Sequence, residues 1–160
     1  MSKVIQDATE RVRLSLRELG YRGQIVESKM TIKTVEDAAS AIGVEPSRIL
    51  KSLILITEQR AVLALMSGVN KVDLKKVKKA LNVKKVKFAS PDYIRETFGY
   101  EVGGVPPVGY DEHPPTLLDK DLLEFDIVWA AAGTEFAYFP VAPKDLVVYT
   151  SAEVRDIAKR

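Results

Sequence analysis

The sequence predicts an α+β fold, with helices set around a mixed sheet. Apolar residues recur at helical spacing in 3–19, 34–43 and 73–81. Two pairs of apolar, strand-length runs, 49–57 with 61–68 and 127–133 with 135–141, each read as a hairpin. Helices and strands mix without a strict βαβ rhythm, which argues against a doubly wound parallel sheet. The chain has 160 residues, 46% hydrophobic and 29% charged, and no linker, repeat or low-complexity tract. It reads as one domain over 1–160, large enough to bury a real core.

Taken in order, residues 3–19 carry the stripe Val4, Ala8, Val12, Leu16 and Leu19, and Gly20 stops the helix. QIVES, 24–28, is a short strand. TVEDAASAIG, 34–43, is a helix capped by Thr34, with Asp37 at the capping-box position, one stripe of Val35, Ala38, Ala39 and Ile42, and Gly43 as its end. ILKSLILIT and AVLALMSG flank the polar EQR turn. DLKKVKKAL, 73–81, turns Leu74, Val77 and Leu81 inward and its lysines outward. KKVKFA, 84–89, is a short strand, and Pro91 suits the first turn of a helix that reaches Phe98. TLLD is extended and DKDLLEF gives one helical turn. Pro143 opens a polar segment, and SAEVRDIAKR reads as a C-terminal helix capped by Ser151.

Composition narrows the function classes. The runs LILI and IVWAAAG are far too short to span a bilayer, and the N-terminal stretch mixes charges of both signs without an apolar signal region, so no membrane is expected. Cysteine is absent, which excludes disulfides, thiol catalysis and zinc–thiolate sites and makes the cytoplasm the expected location. Net charge is only +2, yet Lys71 to Lys87 holds eight lysines against the single acid Asp73. Such a run is either a solvated helix face or a docking surface for a polyanion.

Few residues carry candidate chemistry. Lys51 lies on a strand face with Ile49, Leu53 and Leu55, where an ammonium either snorkels to water from an edge strand or meets an anion. In VGGVPPVG, 102–109, Gly103 and Gly104 allow close backbone approach and offer N–H donors, while Pro106 and Pro107 stiffen the loop; a plain connector is the other reading. The small residues AAAG, 130–133, either floor a pocket or pack tightly. His113, the single histidine, reads as a solvated loop residue, and Asp111 and Glu112 as surface charge. No metal cluster and no serine–histidine–acid set can be assembled.

TVEDAASAIGV, ILKSLIL, AVLALMSGVNKVDLKKV, ASPDYIRETFGYEVGGVPPVG and VWAAAG, in this order and at these intervals, resemble the YbaK/prolyl-tRNA synthetase-associated editing domain family from about residue 25 to residue 150. The resemblance implies a mixed, partly closed β-barrel-like sheet surrounded by helices. It also implies a hydrolase that deacylates mischarged tRNA in trans without cofactor or metal. Such proofreading answers a physical limit, since a synthetase pocket separates small apolar amino acids by only about 1–3 kcal/mol per methylene.

Carried onto this chain, Lys51 matches the family's essential lysine near the terminal adenosine and the ester. Gly103 and Gly104 match the loop that holds the substrate carbonyl or the attacking water. Pro106, Ala131, Ala132, Gly133 and Tyr138 fall on the substrate side, and Tyr21 matches an aromatic residue often found after the first helix. Lys71, Lys75, Lys76, Lys78 and Lys79, with Lys84, Lys85 and Lys87, are the expected contacts to the acceptor end of tRNA. An aminoacyl-tRNA synthetase is a further expected partner. Ala131 stands where one deacylase branch has serine, Tyr138 where it has aspartate, and EFAYFP lacks the histidine of an alanine-editing branch. A non-catalytic tRNA-binding or synthetase-associated module, a general nucleic-acid binder and a small-molecule ester hydrolase are the rival readings.

Overall fold

A computed structural model describes residues 3–28 and 34–160, with side chains in the first helix described from Ala8 onward. Its helices are α1 (Lys3–Glu18), α2 (Val35–Ile42), α3 (Leu74–Leu81), α4 (Pro91–Phe98) and α5 (Pro143–Thr150). Its strands are β1 (Val26–Glu27), β2 (Leu50–Thr57), β3 (Ala61–Ser67), β4 (Val86–Phe88), β5 (Thr116–Asp119), β6 (Val128–Ala131), β7 (Ala137–Val141) and β8 (Glu153–Arg155). Short 3₁₀ turns cover Pro46–Arg48 and Lys120–Glu124.

Local chemistry sets most boundaries. The Thr34 hydroxyl accepts from Asp37 N–H at the start of α2, and Gly43 ends it at φ 85°. Asp73 caps α3 through the amides of Lys75 and Lys76, and Ser90 caps α4 with Pro91 in its first turn. In the first helix Ala8, Val12 and Leu16 are buried as expected; Val4 lies outside the described side chains, and Leu19 falls past the helix end, exposed.

A five-stranded mixed sheet runs β4-β2-β3-β5-β8, and a second sheet runs β1-β7-β6. β2 and β3 form the expected hairpin, with Leu50 opposite Ser67 and Ile56 opposite Ala61. β5 joins β3 in parallel, and β8 joins β5 in parallel. Among the described residues one bridge, Ile49 to Trp129, links the two sheets by their backbones, just before the start of β2. The partly closed sheet is therefore two sheets linked at this bridge.

Side-chain alternation sorts the core into two faces. Leu50, Ile54, Leu63, Leu65 and Leu118 face α1, Tyr100, Val108 and the inner side of β6–β7. Leu55, Val62, Ala64, Met66 and Leu117 face Val77 of α3 together with Ile157 and Ala158. Burying each such side chain contributes roughly 1.5–3 kcal/mol, so coverage on both faces holds the sheet. A third cluster joins Ala38 and Ala39 of α2 to Ile49, Ala131 and Tyr138.

The C-terminus differs from expectation. Residues 143–150 form α5, and Ser151 closes that helix in the left-handed region, φ 54°, instead of opening another. Residues 153–155 then run as β8. The Ile157 N–H donates to Asp119, a fully buried carboxylate, at 2.9 Å, and Lys159 N–H donates to Lys71 O at 2.8 Å. An extended tail buries Ile157 and Ala158 under the sheet while giving a second amide to that carboxylate, which also accepts from the Asp121 N–H. No helix among the described residues is long and apolar enough to cross a membrane.

Candidate active site

Lys51 sits on β2, opposite Met66 of β3, and β4 pairs with the other edge of β2 only further along, at Leu55–Thr57. It is half-buried, and its Nζ donates to the backbone carbonyl of Asn70. Burial holds its pKa below the ordinary lysine value; the Lys71 charge pushes the same way, and Glu36 pushes back. No carboxylate lies within ion-pair distance of it among the described residues.

From Lys51 a groove of about 790 Å³ opens over the second face of the sheet. Lys71, Lys75 and Lys159 supply its positive charge beside the ion-paired Arg160 and one acid, Asp73, and Leu53, Val72, Leu74 and Phe88 its apolar surface. Phe88 is 54% exposed, enough to offer its ring to a ligand. Of the expected tRNA contacts, the structure brings Lys71 and Lys75 to this groove. Lys76 is tied to Asp156 at 3.1 Å and to the carbonyl of Ala158 at 2.8 Å, which anchors the C-terminal tail. Lys78 and Lys79 lie in the last turn of α3 and do not line the groove.

Ala131 and Tyr138 are directly opposite each other in the β6–β7 hairpin, on the side facing α2. Ile49 packs on them, and Lys51 is the next residue on that face of β2. Burial, then Glu135 and Asp37, pushes the Tyr138 hydroxyl up to about 12, so it stays a neutral hydroxyl at physiological pH. Ala132 does not share this side. It points the opposite way, fully buried in the main core with Ala8 and Val12.

The glycine loop packs against the tip of the same hairpin. A Cβ on Gly104 would come within 2.6 Å of Thr134 Cα and 2.7 Å of Gly133 O, so only glycine permits the contact. Its N–H donates to Glu101 O at 3.0 Å, which leaves Gly104 a packing residue and not a free donor. Gly103 takes φ 91°. Pro106 is buried and its carbonyl accepts from Tyr110 OH at 2.6 Å, while Tyr100 OH donates to Gly109 O. Pro106 therefore braces the loop. No hydrogen bond, ion pair or shared groove among the described residues joins Lys51 to Gly103 or Gly104; Gly104 packs on Gly133 and Thr134, whereas Ile49, two residues before Lys51, packs on Ala131 and Tyr138.

Tyr21 is elsewhere. Its ring packs edge-on to Phe139 at 5.6 Å and its hydroxyl donates to Pro140 O, fastening the end of α1 to β7. His113 is a correction: it is half-buried, with Nε2 2.8 Å from Thr116 Oγ1 and its ring edge-on to Tyr110. Because Thr116 Oγ1 gives its own proton to Pro114 O, Nε2 must carry the hydrogen. Burial lowers the His113 pKa. The fold thus favours neutral histidine, and this contribution is complete above the unfolded value and lost as pH falls through it toward the folded value. The urea midpoint is expected to drop between about pH 7 and pH 5, and His113→Asn is expected to flatten that drop. A drop of equal size in the variant would place its origin in other groups.

Sequence reasoning missed Phe88, Asn70, Lys159, Arg160 and Ser52. The Ser52 hydroxyl is buried without a hydrogen-bond partner among the described residues, on the strand position next to Lys51.

The aminoacyl-tRNA editing domain family matches residues 30–149. This chain belongs to that family. The uncharacterized protein YwhH of Bacillus subtilis is 33% identical over 144 residues that cover 89% of this chain and 91% of that one. EbsC of Enterococcus faecalis, named as a candidate Cys-tRNA(Pro)/Cys-tRNA(Cys) deacylase, is 28% identical over 79% of this chain and 78% of its own. A crystal structure described as a candidate trans-editing enzyme for prolyl-tRNA synthetase superposes with a TM-score of 0.90 at 37% identity, covering 100% of this chain and 99% of that one. The α+β architecture is that of these editing domains.

Proposed function

We propose that this editing domain hydrolyses the ester of mischarged tRNA in trans, with Lys51 as the cation at the reacting carbonyl. One observation carries the reading: a half-buried ammonium, held by a carbonyl and crowded by Lys71, stands at the head of a basic groove with no carboxylate within ion-pair distance among the described residues. Such a cation lowers its energy when an oxyanion forms beside it. The unpaired 3′ end lies along the groove, with Lys71, Lys75 and Lys159 on phosphates and Phe88 under a base. Water adds to the ester carbonyl, and its proton passes through the neighbouring ribose hydroxyl to the leaving ribose oxygen, which frees the amino acid and the tRNA. Among the described residues none is placed as a general base, and an activated ester in a fixed geometry has little need of one.

The amino acid falls on the Ala131–Tyr138 side. An alanine floor and a neutral hydroxyl suit a small side chain. A panel of tRNAs charged with alanine, serine, cysteine and threonine tests this directly. Fast release of one or two is expected; release of none would leave a tRNA-binding module without turnover.

Binding is expected to weaken with salt at roughly −0.7 in log–log slope per phosphate contacted. Lys71→Ala with Lys75→Ala should flatten that slope by about 1–1.5, read by filter binding of uncharged tRNA. An unchanged slope would remove these lysines from the interface.

A further inference from the structure

A chain of polar contacts runs from Lys51 to the far wall of the groove. Lys51 Nζ donates to the carbonyl of Asn70. The Asn70 side-chain amide donates to Asp121 Oδ2 at 2.9 Å, and the same oxygen accepts from Arg160 Nη1 at 2.6 Å. Asn70 lies in the turn after β3, closed by its N–H onto Ser67 O at 3.0 Å. Asp121 lies in the 3₁₀ turn after β5, and Arg160 holds its carboxyl below the usual carboxylate range. Arg160 is itself gripped by Asp156 at 2.9 Å and by buried Asp119 at 3.5 Å.

We propose that Asn70 is a positioning residue for Lys51, and that Asp121 and Arg160 fix its turn so that the carbonyl binding the ammonium cannot drift. A lysine side chain is long and rotamer-rich, and a cation that must meet a developing oxyanion gains from being held beforehand. A backbone carbonyl suits the task. It orients the ammonium without neutralising it, whereas a carboxylate there would compete with the substrate. The side-chain amide of Asn70 ties this carbonyl to a part of the fold that is anchored by three carboxylates. The inference rests on Lys51 acting at the ester.

Two readouts separate it from a merely structural role: kcat and KM for mischarged tRNA, and the titration of Lys51 followed by NMR of its labelled ε-carbon. Asn70→Ala leaves the Arg160 ion pairs intact, so the fold is expected to persist. It should lower kcat about tenfold with KM changed less than about twofold. Lys51 should then titrate lower by about half a pH unit, because the charged form loses a well-placed acceptor. Asp121→Ala should act alike, whereas Asp121→Asn, whose amide oxygen still accepts from Asn70, should stay within about threefold of the parent protein.

Parental kcat and an unmoved Lys51 titration in Asn70→Ala would overturn the positioning role. So would a kcat loss without any titration shift, or equal losses in Asp121→Asn and Asp121→Ala. The proposed function fails separately: a parent protein that releases no amino acid, while Asn70→Ala still shifts Lys51, removes the hydrolase and keeps the positioning.

Discussion

Lys51→Ala is expected to slow deacylation of mischarged tRNA by about 10²–10³-fold, the usual cost of removing one preorganised oxyanion partner. Little of this loss should lie in KM, because Lys71, Lys75 and Lys159 keep the groove basic. The fold should tolerate the change, since the ammonium's hydrogen bond is to a single turn carbonyl and its position is half-buried. The pH profile gives a second check. Lys51 acts charged, and its pKa is lowered first by burial and then by Lys71. Activity should therefore fall as pH rises through a value below that of free lysine, and Lys71→Ala should move that fall upward. Single-turnover rates across pH read both effects. A Lys51→Ala rate within about threefold of the parent would assign the chemistry to other groups.

Gly133→Ala is expected to destabilise the fold by about 2–4 kcal/mol, combining a left-handed backbone with overpacking. Gly133 sits at φ 95°, and an added Cβ would lie 2.7 Å from Ala8 O, on the backbone of α1. Neither the helix nor the hairpin tip can yield alone, because Gly104 packs on the same tip so closely that a Cβ on it would lie 2.7 Å from Gly133 O. The damage should reach the loop that carries Gly103 as well as stability. Thermal unfolding and the amide exchange of residues 101–104 measure it; an unchanged midpoint would mean that α1 shifts aside at no cost.

The parts of the fold that were legible are those whose cause is local. Thr34, Asp37 and Gly43 mark α2 by capping chemistry, and the alternation in 50–67 yields both faces of the central hairpin. The C-terminal tail was misread because Val154, Ile157 and Ala158 also fit helical spacing. What decides its shape is a carboxylate 38 residues away, at Asp119, which claims the Ile157 amide. That misreading also hid Lys159 and Arg160 from the groove. In the site, Lys51 stood out as a charge on an apolar strand, and Gly104 as a permissive residue. Asn70 gave no signal, since a polar turn residue is ordinary until its carbonyl and its amide are seen to face two different partners. Ala131 and Ala132 looked equivalent in sequence; strand alternation sends one to α2 and the other into the core.

A crystal structure with a non-hydrolysable, amide-linked aminoacyl adenosine tests the central claim most directly. The expected result places its carbonyl oxygen roughly 3 Å from Lys51 Nζ, its amino-acid side chain toward Ala131 and Tyr138, and its base beside Phe88. An analogue seated instead between Ala8, Val102, Gly133 and Phe136, in the separate 480 Å³ cleft beside the glycine loop, would contradict it.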